Sequence, residues 1–208
     1  MARPELDFWF EFGSTYSYPT SQRIQALARD RGVAVRFRPF MLGAIFKAQG
    51  WDTSPFNIYP AKGRYMWRDM ERICGTLGLT LVRPDPFPQN SLLAARVGVA
   101  VAAESWAGDY CAEVFLEEFA RGRPIADQDV LLSLLARFSA EAPLILERAN
   151  TPQNKEKLKE ETHLAAQIGV FGSPTFVTMD GELFWGNDRL ETALDWACRG
   201  SNIAAGKS

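Results

Sequence analysis

Ser14 and Ser17 stand three residues apart at the point where a strand pattern gives way to a helical one. Asp7 to Phe12 sets polar residues around three consecutive aromatics, which reads as a strand entering a core. Gly13-Ser14-Thr15-Tyr16-Ser17 follows, and Tyr18 to Arg31 reads as a helix. Redox proteins place Cys-x-x-Cys in such a slot, because a helix N-terminus favours a thiolate. Here both positions are serine. Far along the chain, Phe171-Gly172-Ser173-Pro174-Thr175 opens another strand and could supply a proline facing the same site. A site shaped for a thiolate, with no thiol of its own, suggests that the sulfur arrives on a ligand.

Nucleophilic serines need a base beside them, usually histidine. The chain has one histidine, His163, in a charged amphipathic helix that reads as surface, and it has no G-x-S-x-G elbow. Two roles remain open for Ser14. It can cap the first helix, or it can donate a hydrogen bond to a ligand thiolate. A free thiol has a pKa of about 8.5, and every 1.4 kcal/mol or so that favours the thiolate lowers that value by about one. A helix N-terminus contributes roughly 0.3–2 kcal/mol and a hydrogen bond to a charged group roughly 1.5–3. Together these would leave a bound thiol mostly ionised near neutral pH. Ser17 reads as structural.

Three further groups can carry chemistry. If the Ser173-Pro174 bond is cis, the Ser173 backbone can pair with an extended peptide-like ligand; only about 5–6% of such bonds are cis, so the sequence does not decide it. At Trp185-Gly186-Asn187-Asp188-Arg189, N–H groups at a helix start can bind a carboxylate, and Asp188 can receive an ammonium. A plain helix cap explains the same residues. Asn57, Lys62, Arg64 and Tyr65 bring together an amide, a cation and a phenol suited to a carboxylate or polar aromatic substrate, or simply form a solvated helix start.

These residues need a scaffold. At 208 residues and 47% hydrophobic, the chain can bury a substantial core in one domain, or in one domain with a large insertion. A net charge of −2 with dispersed cations argues against a nucleic-acid partner. Cys74, Cys111 and Cys198 have neither metal-ligand nor CxxC spacing and read as apolar fillers in a reducing compartment. MARPELDFWFEF has no signal-peptide pattern, and no run approaches the roughly 18–20 apolar residues of a spanning helix, so a soluble cytoplasmic protein is expected.

Val33 to Arg38 reads as a second strand, parallel to the first across a helical crossover. Leu42 to Gln49 reads as a short helix and 50–60 as loop. Helices follow over Lys62–Leu77, from Asn90 or Ser91 through LLAARVGVAVAAES, and over Asp109–Arg121, Asp127–Phe138, Ala142–Asn150 and Pro152 to about Ile168. Thr175–Met179 and Glu182–Trp185 form a hairpin on an Asp180-Gly181 type I′ signal, and a last helix runs from Arg189 to Arg199 with a loose tail beyond. The expected fold class is α/β: a thioredoxin-like core (βαβ…ββα), residues 1–40 and 169–200, with a large all-helical insertion, 41–168, and a tail, 201–208.

DFWFEFGSTYSY, KGRYMWRDMERI, FPQNSLLAAR and GVFGSPTFV followed by ELFWGNDRLE together resemble the 2-hydroxychromene-2-carboxylate isomerase family. Its relatives are kappa-class glutathione transferases and DsbA-type disulfide oxidoreductases. The resemblance covers Asp7 to about Ala197. It implies a homodimer, glutathione as cofactor and a small aromatic substrate. The family's serine near the glutathione sulfur falls on Ser14, and the main-chain contact at the cis-proline falls on Ser173 and Pro174. The γ-glutamyl contacts fall on Gly186, Asn187, Asp188 and Arg189, and Asn57, Lys62 and Asn90 line the glutathione or substrate side. The implied reaction interconverts a cyclic chromene carboxylate and trans-o-hydroxybenzylidenepyruvate by thiolate addition, bond rotation and elimination. Two positions depart from the family: Thr15 stands where proline is common, and Ser173 where an aliphatic residue is usual. A glutathione transferase or peroxidase that consumes the cofactor, and a non-catalytic glutathione-binding protein, are the alternatives.

Overall fold

The computed structural model describes residues 3–205. A four-stranded sheet in the order β2-β1-β3-β4 organises it. β1 (Glu5–Phe10) pairs in parallel with β2 (Ala34–Pro39) and antiparallel with β3 (Thr175–Thr178), which pairs antiparallel with β4 (Leu183–Trp185). The central strand is covered on both faces. Phe8 and Phe10 point into the main core with Phe37 and Phe176. Trp9 points the other way, into a smaller cluster with Phe40, Ile45, Ala165 and Val170. Two-sided burial explains why this strand reads as nearly continuous aromatic sequence.

The expected first helix is two pieces, α1 (Ser17–Ser21) and α2 (Ile24–Asp30). Thr20 and Ser21 direct their hydroxyls back to the carbonyls of Tyr16 and Tyr18, which opens the helix after one turn. A helix this short carries little macrodipole, so the thiolate field is weaker than a single long helix would supply. Arg23 occupies the break.

Between β2 and β3 the chain is helical: α3 (Leu42–Ala48), α4 (Pro55–Ile58), α5 (Pro60–Leu77), α6 (Leu92–Ala100), α7 (Ala107–Phe119), α8 (Gln128–Leu135), α9 (Ala142–Ala149) and α10 (Pro152–Gln167). α4 lies inside the segment expected to be loop, started by the Ser54 hydroxyl, which accepts the Phe56 N–H. Ser91 is the N-cap of α6, and the Asn90 amide oxygen before it accepts the Leu92 N–H. His163 is exposed on α10.

Two local expectations are corrected at the C-terminal end. The β3–β4 turn has positive φ only at Gly181 (85°), whereas type I′ needs two such residues. Gly181 N–H returns to the Thr178 carbonyl and the glycine closes a longer hairpin loop. The last helix, α11 (Leu190–Ala205), continues past Arg199, because extending an established helix costs only propensity. Of the expected tail, residues 206–208 lie outside the described residues.

Candidate active site

Ser14 lies at the end of the strand-to-helix turn, half-buried, and its hydroxyl crosses to another part of the chain. Ser14 Oγ donates to the Ser173 carbonyl oxygen at 2.9 Å. It does not cap α1, whose N-cap is Tyr16 with no side-chain bond. The Ser173-Pro174 peptide is cis. The Ser173 N–H has no partner among the described residues, so one edge of this backbone is open to a ligand and the other is held by Ser14.

The Ser173 side chain faces inward. Its Oγ accepts the Glu11 N–H at 2.9 Å and lies 2.7 Å from Ser17 Oγ. Where an aliphatic residue is usual, this chain has a buried hydroxyl pair joining the cis-proline loop to α1 and to the end of β1. Thr15, the other departure, is buried and donates its hydroxyl to Met66 Sδ at 3.1 Å, anchoring the turn to α5. Tyr16 Oη donates to Asp69 Oδ2 at 3.0 Å on the same helix. Burial first, and then the Asp69 bond, push the Tyr16 phenol well above its ordinary range, so it is a neutral donor.

The 186–189 segment is tied to both sides of this cluster. Gly186 N–H donates to the Pro174 carbonyl at 3.0 Å. Gly186 has φ 113°, and a Cβ there would stand 2.6 Å from Asp188 Oδ1. The 3₁₀ turn Asn187–Arg189 follows, with the Asn187 and Asp188 N–H groups unpartnered among the described residues. The Asn187 side chain is already engaged: its Oδ1 accepts from Thr20 Oγ1 (3.0 Å) and Arg23 Nη2 (2.9 Å). It therefore braces the turn and leaves the main chain to face outward. Asp188 is exposed, and its charge is felt at Tyr16. Arg189 lies 3.5 Å from Asp188, also exposed.

The loop before α6 closes the other flank. A side chain at Gly13 would lie 3.5 Å from Pro88 Cβ and 3.4 Å from the Gln89 carbonyl. Asn57 donates its amide N–H groups to Thr53 Oγ1 (3.1 Å) and the Phe87 carbonyl (3.2 Å), so it holds this loop and keeps only its amide oxygen free. Asn90 keeps its amide N–H groups. Lys62 extends over the Tyr59 ring at 4.8 Å, one turn before Met66 on α5. No hydrogen bond or ion pair joins Asn57, Lys62 or Asn90 to the Ser14–Ser173–Pro174 cluster among the described residues.

Several residues of the site escape a reading by motif. Arg23 and Thr20 brace Asn187 across 164 and 167 positions of sequence. Glu11 is the polar residue between Phe10 and Phe12, and that placement at the end of a buried strand was the available signal. Ser91 donates to its Oε1 in a short hydrogen bond, and the Gly13 N–H donates to the same oxygen at 3.3 Å. The cysteines take no part: Cys74 and Cys111 are buried, burial raises the Cys74 thiol to about 11, and Cys198 Sγ donates to the Arg31 carbonyl.

A sheet ending in a strand-to-helix turn, faced by a cis-proline loop, defines a thioredoxin-type site with both thiols replaced by hydroxyls. The family model described as a DSBA-like thioredoxin domain matches residues 5–195. A 2-hydroxychromene-2-carboxylate isomerase of Pseudomonas putida is 32% identical over 205 residues, covering 93% of this chain and 96% of that protein. Human glutathione S-transferase kappa 1 is 28% identical over 89% of this chain and 87% of its own. A solved 2-hydroxychromene-2-carboxylate isomerase superposes with a TM-score of 0.85 at 27% identity, covering 98% of this chain and 99% of that one. The chain belongs to the 2-hydroxychromene-2-carboxylate isomerase family of DsbA-like thioredoxin-domain proteins.

Proposed function

We propose that this protein is a glutathione-dependent cis-trans isomerase acting on 2-hydroxychromene-2-carboxylate or a related aromatic carboxylate. The observation that carries the reading is the Ser14–Ser173–cis-Pro174 cluster, which presents one hydroxyl and an open N–H where disulfide enzymes present thiols. The donor set fits a γ-glutamyl tripeptide. The Ser173 N–H suits its backbone, the Asn187 and Asp188 N–H groups suit its carboxylate, and the Asp188 carboxylate suits its ammonium. The kinship with kappa transferases supports the same ligand.

Glutathione held there supplies a sulfur nucleophile that adds to a conjugated double bond, permits rotation and leaves unchanged. The chain's residues do the rest. Ser14 Oγ–H turns from the Ser173 carbonyl to the sulfur, holding its charge before addition and after elimination. Gly186 to Arg189 anchor the end of the ligand remote from the chemistry, so its binding fixes the sulfur's position. Lys62 and the Asn90 amide hold the substrate carboxylate and the developing enolate oxygen, and Asn57 sets the loop that carries Asn90. In this reading the protein acts as a cytoplasmic homodimer, as the family resemblance implies.

An absorbance assay of chromene carboxylate isomerisation, with glutathione followed throughout, tests this. Isomerisation that requires glutathione without consuming it is the expected result. Consumption with formation of a conjugate moves the protein to the transferase reading, which the kappa relatives favour. Binding without turnover on any conjugated carbonyl compound would leave a thiol-binding scaffold.

A further inference from the structure

Two carboxyl groups beneath the site have no counter-charge. Glu118, on α7, is fully buried, and both of its side-chain oxygens lack a hydrogen-bond partner among the described residues. Glu11 approaches from the end of β1, with its carboxyl bonded to the Ser91 hydroxyl and the Gly13 N–H. No cation pairs with either acid among the described residues. Arg121 and Arg123, on the α7 side, are committed to Glu113 and Glu117. Two neighbouring carboxyls in an apolar interior cannot both ionise, so Glu118 is the neutral member. Glu11 joins the floor of the site at three points. Its carbonyl accepts the Ser14 N–H, its N–H holds Ser173 Oγ, and its carboxyl holds the residue before Ser14.

We propose that Glu11 is the proton store of the site: when a thiol binds at Ser14, its proton passes to the Glu11 carboxylate. The inference rests on the glutathione reading above. The balance is simple. The S–H bond breaks and a Glu11 O–H bond forms. The negative charge moves from the carboxylate to the sulfur, and the site's total charge is unchanged. The Glu118 acid prevents the charge from spreading inward, because its own ionisation beside Glu11 is opposed by burial and by the Glu11 charge. The same burial favours the protonated state of Glu11, against the Ser91 and Gly13 bonds that favour the anion. Glu11 acts on the sulfur by taking its proton, and once neutral it sets no like charge beside the thiolate.

The test counts protons. Glutathione is titrated into the protein near pH 7.5 in buffers of different ionisation enthalpy, with thiolate absorbance near 240 nm recorded in parallel. The wild type is expected to form thiolate while releasing close to zero protons. Glu11→Gln keeps the main-chain bonds and should release about one proton per thiolate formed. Glu118→Gln should keep the wild-type balance, since Glu118 holds its proton throughout. Thiolate with about one proton released by the wild type overturns the proposal and leaves glutathione binding intact. A zero balance retained in Glu11→Gln, or lost in Glu118→Gln, overturns Glu11 as the seat. If Glu11→Gln does not fold, the wild-type and Glu118→Gln counts decide. Glutathione bound as a thiol overturns the proposal alone, and no binding overturns the glutathione reading with it.

Discussion

Ser14 Oγ donates to the carbonyl of Ser173, 159 residues away, and this 2.9 Å bond sets what the serine can do. The hydroxyl is aimed before any ligand arrives, and it must exchange one acceptor for another when a thiolate enters. A hydrogen bond to a charged acceptor is about twice as strong as one between neutral groups, so the exchange favours the sulfur. The short α1 cannot supply the field that a full helix would, which throws more of the work onto this one donor.

Ser14→Ala should therefore lower kcat about 10- to 150-fold, the equivalent of roughly 1.5–3 kcal/mol. Glutathione affinity should change little, because the anchoring groups at Ser173 and 186–189 stay in place. Steady-state kinetics across pH with calorimetric binding checks both halves. Turnover unchanged at every pH would remove the thiolate role.

The buried hydroxyl pair gives a separable effect on stability. Ser173→Ala strands the Glu11 N–H and should cost about 1–3 kcal/mol, against about 0.5–1.5 for Ser17→Ala, which leaves that N–H partnered. Thermal melts of the two single variants and the double variant measure the coupling, and additive losses would show that the two hydroxyls do not act together.

Arg23 fills the break between α1 and α2 and reaches Asn187, so its removal should loosen the ligand-facing turn without touching the chemistry. In Arg23→Met, KM for glutathione should rise about tenfold, some 1.4 kcal/mol, with kcat near the wild-type value. A fall in kcat at unchanged KM would place Arg23 nearer the reacting atoms.

Gly186→Ala tests the same turn from its backbone. With φ 113° and Asp188 Oδ1 at 2.6 Å from the new Cβ, the turn must shift, at about 1–3 kcal/mol. The loss in glutathione-binding free energy should exceed the loss in folding free energy. Unchanged binding in the folded variant would take 186–189 out of the ligand site.

The parts of the site that were legible in the sequence are those whose signal is local. The Ser14 turn, the Ser173-Pro174 strand start and the Gly186-Asp188 helix start each announce themselves by spacing and by breaker residues. The central strand was legible because two-sided burial writes itself as aromatics. What was not legible lies across the fold. Thr20 and Ser21 look like ordinary helical residues until their hydroxyls turn back on the chain, and Arg23 looks like a solvated charge until Asn187 meets it. Asn57 reads as a ligand-facing amide, yet its donors are consumed by Thr53 and Phe87. Glu118 sits beside Glu117, both are buried, and nothing local says which of the two meets an arginine.

That difference between neighbours gives the last prediction. Glu117 has Arg121 at 2.7 Å and Arg123 at 3.1 Å, whereas Glu118 has no hydrogen-bond partner for either oxygen among the described residues. Burial, and then the charge of Glu11, raise the Glu118 carboxyl well above its ordinary value. The unfolded chain gives up this proton near pH 4.3, while the native state keeps it. Over that interval the native state binds more protons, so the stability gained from Glu118 is present in full below about pH 4 and falls as pH rises toward the folded-state value. Glu118→Met removes both the orphaned oxygens and the proton linkage while keeping the volume. It should stabilise the protein at neutral pH by about 1–3 kcal/mol and flatten the decline of stability above about pH 4.5. Chemical denaturation of both proteins from about pH 4 to 8 measures the slope. A parallel pair of curves would mean that Glu118 titrates alike in the folded and unfolded chain, and that burial does not govern its proton.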